Sequence, residues 1–266
     1  MYIKPKKSLG QNFLIDRNIQ NKIISACNLS NEDIVLEIGS GKGDLTVSLA
    51  QKAKKVYALE IDERLHPLLE MGLMKHDNCQ VIKADILKFD ISKFLHENQI
   101  KQKIKVIGNI PYYISSPIIE HLIEYRKDIS VAFITVQKEF GHRTRAVAGS
   151  KAYSSFSCFV QYYCNCKILF EIKRNSFKPA PNVDSCFLSL EFREKPSVLV
   201  KDEEMLFKLI RTAFNQRRKT LRNSLDGLVD QNRLNNFLKK DNIDKNVRPE
   251  NLTLEQFADL NNCLNI

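Results

Sequence analysis

The sequence predicts an α/β protein: a doubly wound, mostly parallel sheet followed by a small all-helical domain. Two observations predict it. From Ile34 to Val136, short apolar runs of strand length alternate with amphipathic stretches of helix length, the pattern of successive parallel β-α units. After Glu194-Lys195-Pro196-Ser197 the strand signal stops and only helical periodicity continues. The boundary is therefore expected there, with residues 1–194 as a sheet domain carrying an N-terminal arm and residues 195–266 as a helical domain.

Lys6-Lys7-Ser8-Leu9-Gly10-Gln11-Asn12-Phe13-Leu14 is too polar and too broken by glycine for a strand, and reads as an arm laid over the domain. Asp16 suits the cap of a helix reaching Cys27, with Ile19, Ile23, Ile24 and Cys27 on one face. Strands are expected at 34–38, 55–61, 80–84, 104–108 and 129–136. The intervening helices are expected at 45–54, 64–73 with Pro67 in the first turn, 91–97 and 117–125. Segments 138–147 and 154–163 read as helices, and 167–172 and 186–192 as strands of a hairpin at one sheet edge. Beyond the boundary, helices are expected at 203–215, 217–225, 232–240 and from Thr253, where Gln256 completes a capping box.

The chain holds 41 Lys and Arg against 31 Asp and Glu, a net charge of +10 that favours a polyanionic partner, nucleic acid ahead of membrane. Lys4, Lys6 and Lys7 open the chain, and Arg217, Arg218 and Lys219 with Arg222 fall on one expected late helix. A charge run is ordinarily a solvated face; two clusters in a basic protein tilt the reading toward phosphate contact. No apolar run approaches membrane-spanning length and no apolar signal region follows the basic start, so a cytosolic protein is expected. Seven cysteines without a C-x-x-C pair and five scattered histidines point to free thiols and no metal.

The chemistry-bearing residues stand at the expected strand ends, where open α/β sheets bind ligands. Glu37-Ile38-Gly39-Ser40-Gly41-Lys42-Gly43 follows the first of the alternating strands and lets the backbone approach a ligand at a helix start. Glu60 ends the second and suits two ribose hydroxyls; Asp85 ends the third and suits an adenine amine. Each alone is compatible with a structural turn. In register together they indicate a nucleoside, and the lack of a G-x-x-x-x-G-K-[ST] loop argues against a triphosphate. An adenosine cofactor without phosphates, such as S-adenosylmethionine, fits best. The fourth strand runs into Gly108-Asn109-Ile110-Pro111-Tyr112-Tyr113. Pro111 stiffens the turn, so the Asn109 side chain and the Ile110 carbonyl can present two acceptors to one amino group beside the flat Tyr112 ring.

These segments resemble the ribosomal RNA adenine N6,N6-dimethyltransferase family, in its small-subunit branch. The resemblance spans essentially the whole chain, through Gly10-Gln-Asn-Phe-Leu14, Glu37-Ile-Gly-Ser-Gly41, Gly108-Asn-Ile-Pro-Tyr112, Gln137-Lys-Glu139, Gly149-Ser-Lys-Ala-Tyr153, Gln161-Tyr-Tyr163, Phe177-Lys-Pro-Ala-Pro181, Val183-Asp-Ser185 and Arg217-Arg-Lys-Thr-Leu-Arg222. It implies a Rossmann-like S-adenosylmethionine-dependent methyltransferase sheet. It also implies N6,N6-dimethylation of two adjacent adenosines in the 3'-terminal hairpin loop of small-subunit ribosomal RNA, with a part in subunit biogenesis. By the same resemblance Asn12, Leu14, Gly39, Glu60, Asp85 and Asn109 contact the cofactor, and Tyr112 and Phe177 wall the target-base site; the reading of the residues adds Gly41 to the first set and Asn109, Ile110 and Pro111 to the second. RNA contacts are expected from Lys6, Lys7, Lys138, Arg217, Arg218, Lys219 and Arg222, and a monomer acting on the small ribosomal subunit is expected. Ser40 stands where proline is usual in the family, and Ser154-Ser155-Phe156 where Gly-Arg-Leu is usual, which removes one expected cation. The readings weighed against this one are a large-subunit adenine methyltransferase of the antibiotic-resistance type, a non-catalytic ribosome-assembly factor, and a small-molecule amine methyltransferase that would leave the basic clusters without a task.

Overall fold

The structure, a computed structural model, describes residues 3–216 and 218–264. Seven strands form one sheet: β2 (Ile34–Ile38), β3 (Lys55–Glu60), β4 (Cys79–Lys83), β5 (Ile104–Asn109), β6 (Ile129–Gln137), β7 (Cys164–Ile172) and β9 (Ser185–Phe192). Their order is β4-β3-β2-β5-β6-β9-β7. β4 through β6 are mutually parallel, and β9 runs antiparallel to β6. The central strands are near-continuous apolar runs because helices cover both faces; Val35, Leu36, Val56, Ala58, Val106 and Ile107 are fully buried. The chain leaves β2 toward β3 and β4, then returns to β5 on the other side of β2. The strand order therefore reverses between β2 and β5, and a crevice opens at their carboxyl ends.

The helices beside these strands are α1 (Arg17–Ala26), α2 (Asp44–Ala50), α3 (His66–Leu73), α4 (Ile91–Glu97) and α5 (Ser115–Glu124), followed by α6 (Lys138–Thr144) and α7 (Ser155–Tyr163). Asp16 caps α1 as expected, its carboxylate accepting from the amides of Asn18 and Ile19. Two helices stop short of their expected ends for one physical reason. Beyond α2, the Asn78 side-chain amide takes the carbonyls of Ala50 and Ala53, at 2.8 and 3.0 Å. Beyond α6, the Gln161 amide takes those of Thr144 and Ala146, at 3.1 and 2.8 Å. Carbonyls satisfied by a distant amide need no further helical turn. The arm also departs from expectation: Phe13 and Leu14 form a short strand, β1 (Phe13–Leu14), antiparallel to β8 (Phe177–Lys178).

The chain divides into two compact units, Met1–Gly141 with Lys167–Phe192, and His142–Cys166 with Arg193–Ile266. The second contains α7, α8 (Glu203–Phe214), α9 (Leu221–Ser224), α10 (Gln231–Lys240) and α11 (Leu254–Leu264). Besides the segment from Arg193, it takes in His142–Cys166. The cause is aromatic: Phe159, Tyr162 and Tyr163 of α7 pack on Phe207 of α8 with centroids 5.4, 5.1 and 5.8 Å away. Both tyrosine hydroxyls donate to Glu203 at the start of α8. The capping box at Thr253 forms as expected, with Thr253 N–H to Gln256 Oε1 at 2.9 Å and Gln256 N–H to Thr253 Oγ1 at 3.3 Å. The expected helix over 217–225 is reduced to α9, because the Thr220 hydroxyl caps at Asn223 and starts the helix only at Leu221. Arg218 and Lys219 sit in the turn before it, and Arg217 lies outside the described residues.

Candidate active site

One cavity of the first unit lies where β2, β3, β4 and β5 end, and the arm forms part of its wall. On the β2–β4 side Glu60, the last residue of β3, is 5% exposed. Its Oε2 accepts the Gly41 N–H at 2.8 Å and its Oε1 accepts the Asp62 N–H at 2.8 Å. Gly41 reaches that position with φ of +59°, where a side chain would be strained. Burial pushes the Glu60 carboxyl up, and the two amides oppose this. Each carboxylate oxygen has a further lone pair, so the pair is built to receive two more donors on one edge. Asp85 is half-buried at the end of β4; its Oδ1 caps the following turn at Leu87 N–H, 3.0 Å away, which leaves Oδ2 for a ligand.

The arm closes over this side through Asp62. Gln11 Nε2 donates to Asp62 Oδ2 at 2.8 Å, and Arg64 grips the same carboxylate through Nε at 2.8 Å and Nη2 at 2.6 Å. The guanidinium holds the Asp62 carboxyl down at about 2. Asn12, which follows Gln11, turns its side-chain amide back on the Gly10 carbonyl at 3.1 Å.

On the β5 side, Asn109 is the last residue of its strand. Its Nδ2 donates to the Asn12 carbonyl at 2.9 Å. That contact assigns the amide: nitrogen toward the arm, oxygen left as an acceptor. Gly108 before it allows β5 to approach β2, since a Cβ there would stand 3.0–3.2 Å from Ile110 Cγ2, Ile38 O and Ile38 Cβ. Pro111, with φ of −62°, passes the chain into a turn that puts Tyr112 and Tyr113 on the cavity wall. The Tyr112 hydroxyl lies 2.5 Å from Ser185 Oγ.

Asn12, Gly39, Gly41, Glu60, Asp85, Asn109, Ile110, Pro111 and Tyr112 thus line one cavity. Two expected site residues do not. Leu14 and Phe177 face each other in the β1–β8 ladder and are 8% and 2% exposed, packed in the hydrophobic core with Ile23, Ile172 and Phe187. Phe177, expected by resemblance at the target-base site, is turned inward by strand pairing. The expected RNA-contacting residues fall in both units. Lys6 and Lys7 are exposed on the arm, and Lys138 pairs with Glu171 at 2.8 Å. Arg218 and Lys219 are exposed, whereas Arg222 is half-buried with its Nε shielded.

Sequence reasoning missed four features. Gln11 and Arg64 converge on Asp62 from positions with no common spacing. Ser185 was visible only as the end of Val183-Asp-Ser185. Ile61 and Tyr113, both substantially exposed, join the cavity wall. Glu37 is almost fully buried beneath the glycine loop; burial pushes its carboxyl up to about 7, and the Thr46 hydroxyl donates to it at 2.6 Å. Its place in Glu37-Ile-Gly was legible; its burial was not.

Comparison with known proteins gives a consistent result. A family model described as ribosomal RNA adenine dimethylase matches residues 3–265. Ribosomal RNA small subunit methyltransferase A of Bacillus pumilus is 43% identical over 265 residues, covering 97% of this chain and 91% of that protein. The protein of the same name from Clostridioides difficile is 41% identical over 264 residues, covering 98% and 91%. Among solved structures, the 23S rRNA methyltransferase ErmE superposes with a TM-score of 0.76 at 26% identity, covering 96% of this chain and 100% of that one. A dimethyladenosine transferase from Plasmodium falciparum superposes with a TM-score of 0.76 at 29% identity, covering 93% and 95%.

Proposed function

Because the chain belongs to the ribosomal RNA adenine dimethylase family, we propose that the cavity takes S-adenosylmethionine on its β2–β4 side and an extruded adenine on its β5 side. The protein is a ribosomal RNA adenine dimethyltransferase that uses this cofactor. Its substrate in this reading is the small ribosomal subunit or its RNA, methylated at N6 of two adjacent adenosines in the 3'-terminal hairpin loop. A monomer acting in the cytosol is part of the reading; among the described residues no helix is long and apolar enough to cross a membrane.

The residues present fit the cofactor. Glu60 keeps two lone pairs for the ribose hydroxyls, Asp85 keeps one oxygen for the adenine amine, and Gly39 and Gly41 give the backbone close approach. When bound, S-adenosylmethionine supplies an electrophilic methyl group on a sulfonium sulfur. The chain supplies position. Adenine N6 is a weak nucleophile, its lone pair delocalised into the ring. In the first transfer Asn109 Oδ1 and the Ile110 carbonyl accept hydrogen bonds from the two N6–H groups, and in the second the one N–H left on N6-methyladenine keeps one of them, turning the lone pair away from conjugation and toward the methyl. The N6 proton leaves to water after attack, so no strong base is required. Tyr112 holds the extruded base by stacking. Phe177 serves from the core, by pairing β8 with β1 and so fixing the arm. The single observation that carries the reading is the Asn109 Nδ2 bond to the Asn12 carbonyl, which leaves the amide oxygen as an acceptor on the cavity wall. Lys6, Lys7, Lys138, Arg217, Arg218, Lys219 and Arg222 are proposed to meet RNA phosphates, with Lys138 first giving up Glu171, and the helical second unit is proposed to contact the ribosome.

ErmE's similarity in shape makes large-subunit RNA the second reading; the higher identity to the small-subunit enzymes favours the first. Incubation with undermethylated small subunits and, separately, with protein-free large-subunit RNA decides between them. Primer-extension stops at two adjacent adenosines of the small-subunit RNA are expected. Methylation confined to large-subunit RNA would overturn the assignment.

A further inference from the structure

We propose that Ser185 is a positioning residue for methyl transfer, holding the Tyr112 phenol so that the ring stays as a wall of the base site. The inference rests on the adenine reading above. Ser185 is fully buried and opens β9, where its backbone is registered opposite Gln137 of β6. Its Oγ is 2.5 Å from the Tyr112 hydroxyl. Tyr112 follows a stiff proline, but its side chain still has two rotatable bonds. The hydroxyl lies at the far end of the ring, so a bond there fixes the direction of the long axis. The phenolic O–H prefers the ring plane, so the same bond also biases that plane. Burial pushes the Tyr112 phenol up, so it stays protonated and able to donate.

The preceding residue extends the clamp. Asp184 accepts from Lys173 Nζ at 2.9 Å and from the Arg174 N–H at 3.0 Å, and its carbonyl accepts the Lys138 N–H at 3.0 Å. Asp184 thereby ties down the loop that carries Phe177, while Ser185 ties down Tyr112. Two consecutive residues at the start of one antiparallel strand hold the two aromatic segments that the base site depends on.

A double-mutant cycle tests the assignment. Ser185→Ala, Tyr112→Phe and the double variant are assayed with the full chain for methyl transfer to undermethylated small subunits, with cofactor affinity measured by titration. Tyr112→Phe keeps the ring and removes only the hydroxyl, so the cycle retains a well-packed member. Each single variant is expected to lower kcat about 10-fold, a positioning loss. Cofactor Kd should stay within about 2-fold, and the double variant should be no slower than the slower single. A wild-type kcat in Ser185→Ala, losses that multiply in the double variant, or a parallel loss of cofactor affinity would each overturn it. Should the wild-type enzyme prefer another RNA, that failure belongs to the substrate reading, and the cycle run on the preferred RNA still judges Ser185.

Discussion

The two sides of the cavity are held together by different means. On the β2–β4 side the ligand-facing carboxylates are fastened to backbone amides close by: Glu60 to Asp62 and, across one β-α unit, to Gly41; Asp85 to Leu87. On the β5 side the key groups are fastened to remote segments. Asn109 reaches Asn12, 97 residues away, and Tyr112 reaches Ser185, 73 residues away. On the first side Glu60 and Asp85 themselves depend on nearby backbone, and the arm adds only the Gln11 bond to Asp62. The second requires the arm, β5 and β9 to be in place together. Binding the cofactor and aligning the base are thus separable tasks, and substitutions should divide accordingly.

The largest effect tests that separation on the β5 side. Asn109→Ala removes one of the two acceptors proposed for the amine, and should lower kcat at least about 100-fold, the usual cost of losing a preorganised polar contact to the reacting group. Because Asn109 also holds Asn12 of the arm, cofactor Kd by titration should rise, but by less than about 10-fold; a loss of affinity matching the loss in kcat would merge the two tasks. Glu60→Gln is the complementary test. The new amide nitrogen must face one of two backbone N–H groups aimed at it, so cofactor Kd should rise roughly 10- to 100-fold, in line with charge-assisted hydrogen bonds. Its kcat at saturating cofactor should stay within a few-fold of wild type. Tyr112→Ala should next raise KM for the subunit about 5- to 100-fold, from the loss of stacking on one base, and lower kcat at least as far as Tyr112→Phe, with cofactor affinity unmoved.

The smallest effect concerns stability. The Glu37 carboxyl is raised by burial to about 7 in the folded chain, from an ordinary value of 4.5. Between these values the folded state binds more proton than the unfolded state, so stability falls as pH rises from about 4.5 to about 7 and then levels. Glu37→Gln should flatten the melting temperature across that window. An unchanged slope would mean that another group sets it.

The same division governs what the sequence disclosed. Buried parallel strands are continuous apolar runs, so 34–38, 104–108 and 129–136 are recognisable without partners, and strand-end residues such as Glu60, Asp85 and Asn109 follow from them. Periodicity tells which face of an element is buried, not against what. It therefore could not pair Gln11 with Asp62, seat the α7 aromatics on Phe207, or turn Phe177 into the core. Helix ends were misread at Ala50 and Thr144 because Asn78 and Gln161 satisfy carbonyls from elsewhere. The basic run near Arg218 reads as helical because its residues suit a helix on either side of Thr220, and only the bond to the Asn223 N–H makes that threonine the cap.

The most direct measurement is the distance from Asn109 Oδ1 to the target adenine N6 in a crystal structure of the protein with the cofactor product and an RNA hairpin. A separation of about 2.7–3.2 Å, with the Tyr112 ring stacked on the same base, is the predicted result. An adenine amine beyond about 4 Å from that oxygen, or a base seated away from the β5 end, would contradict the account.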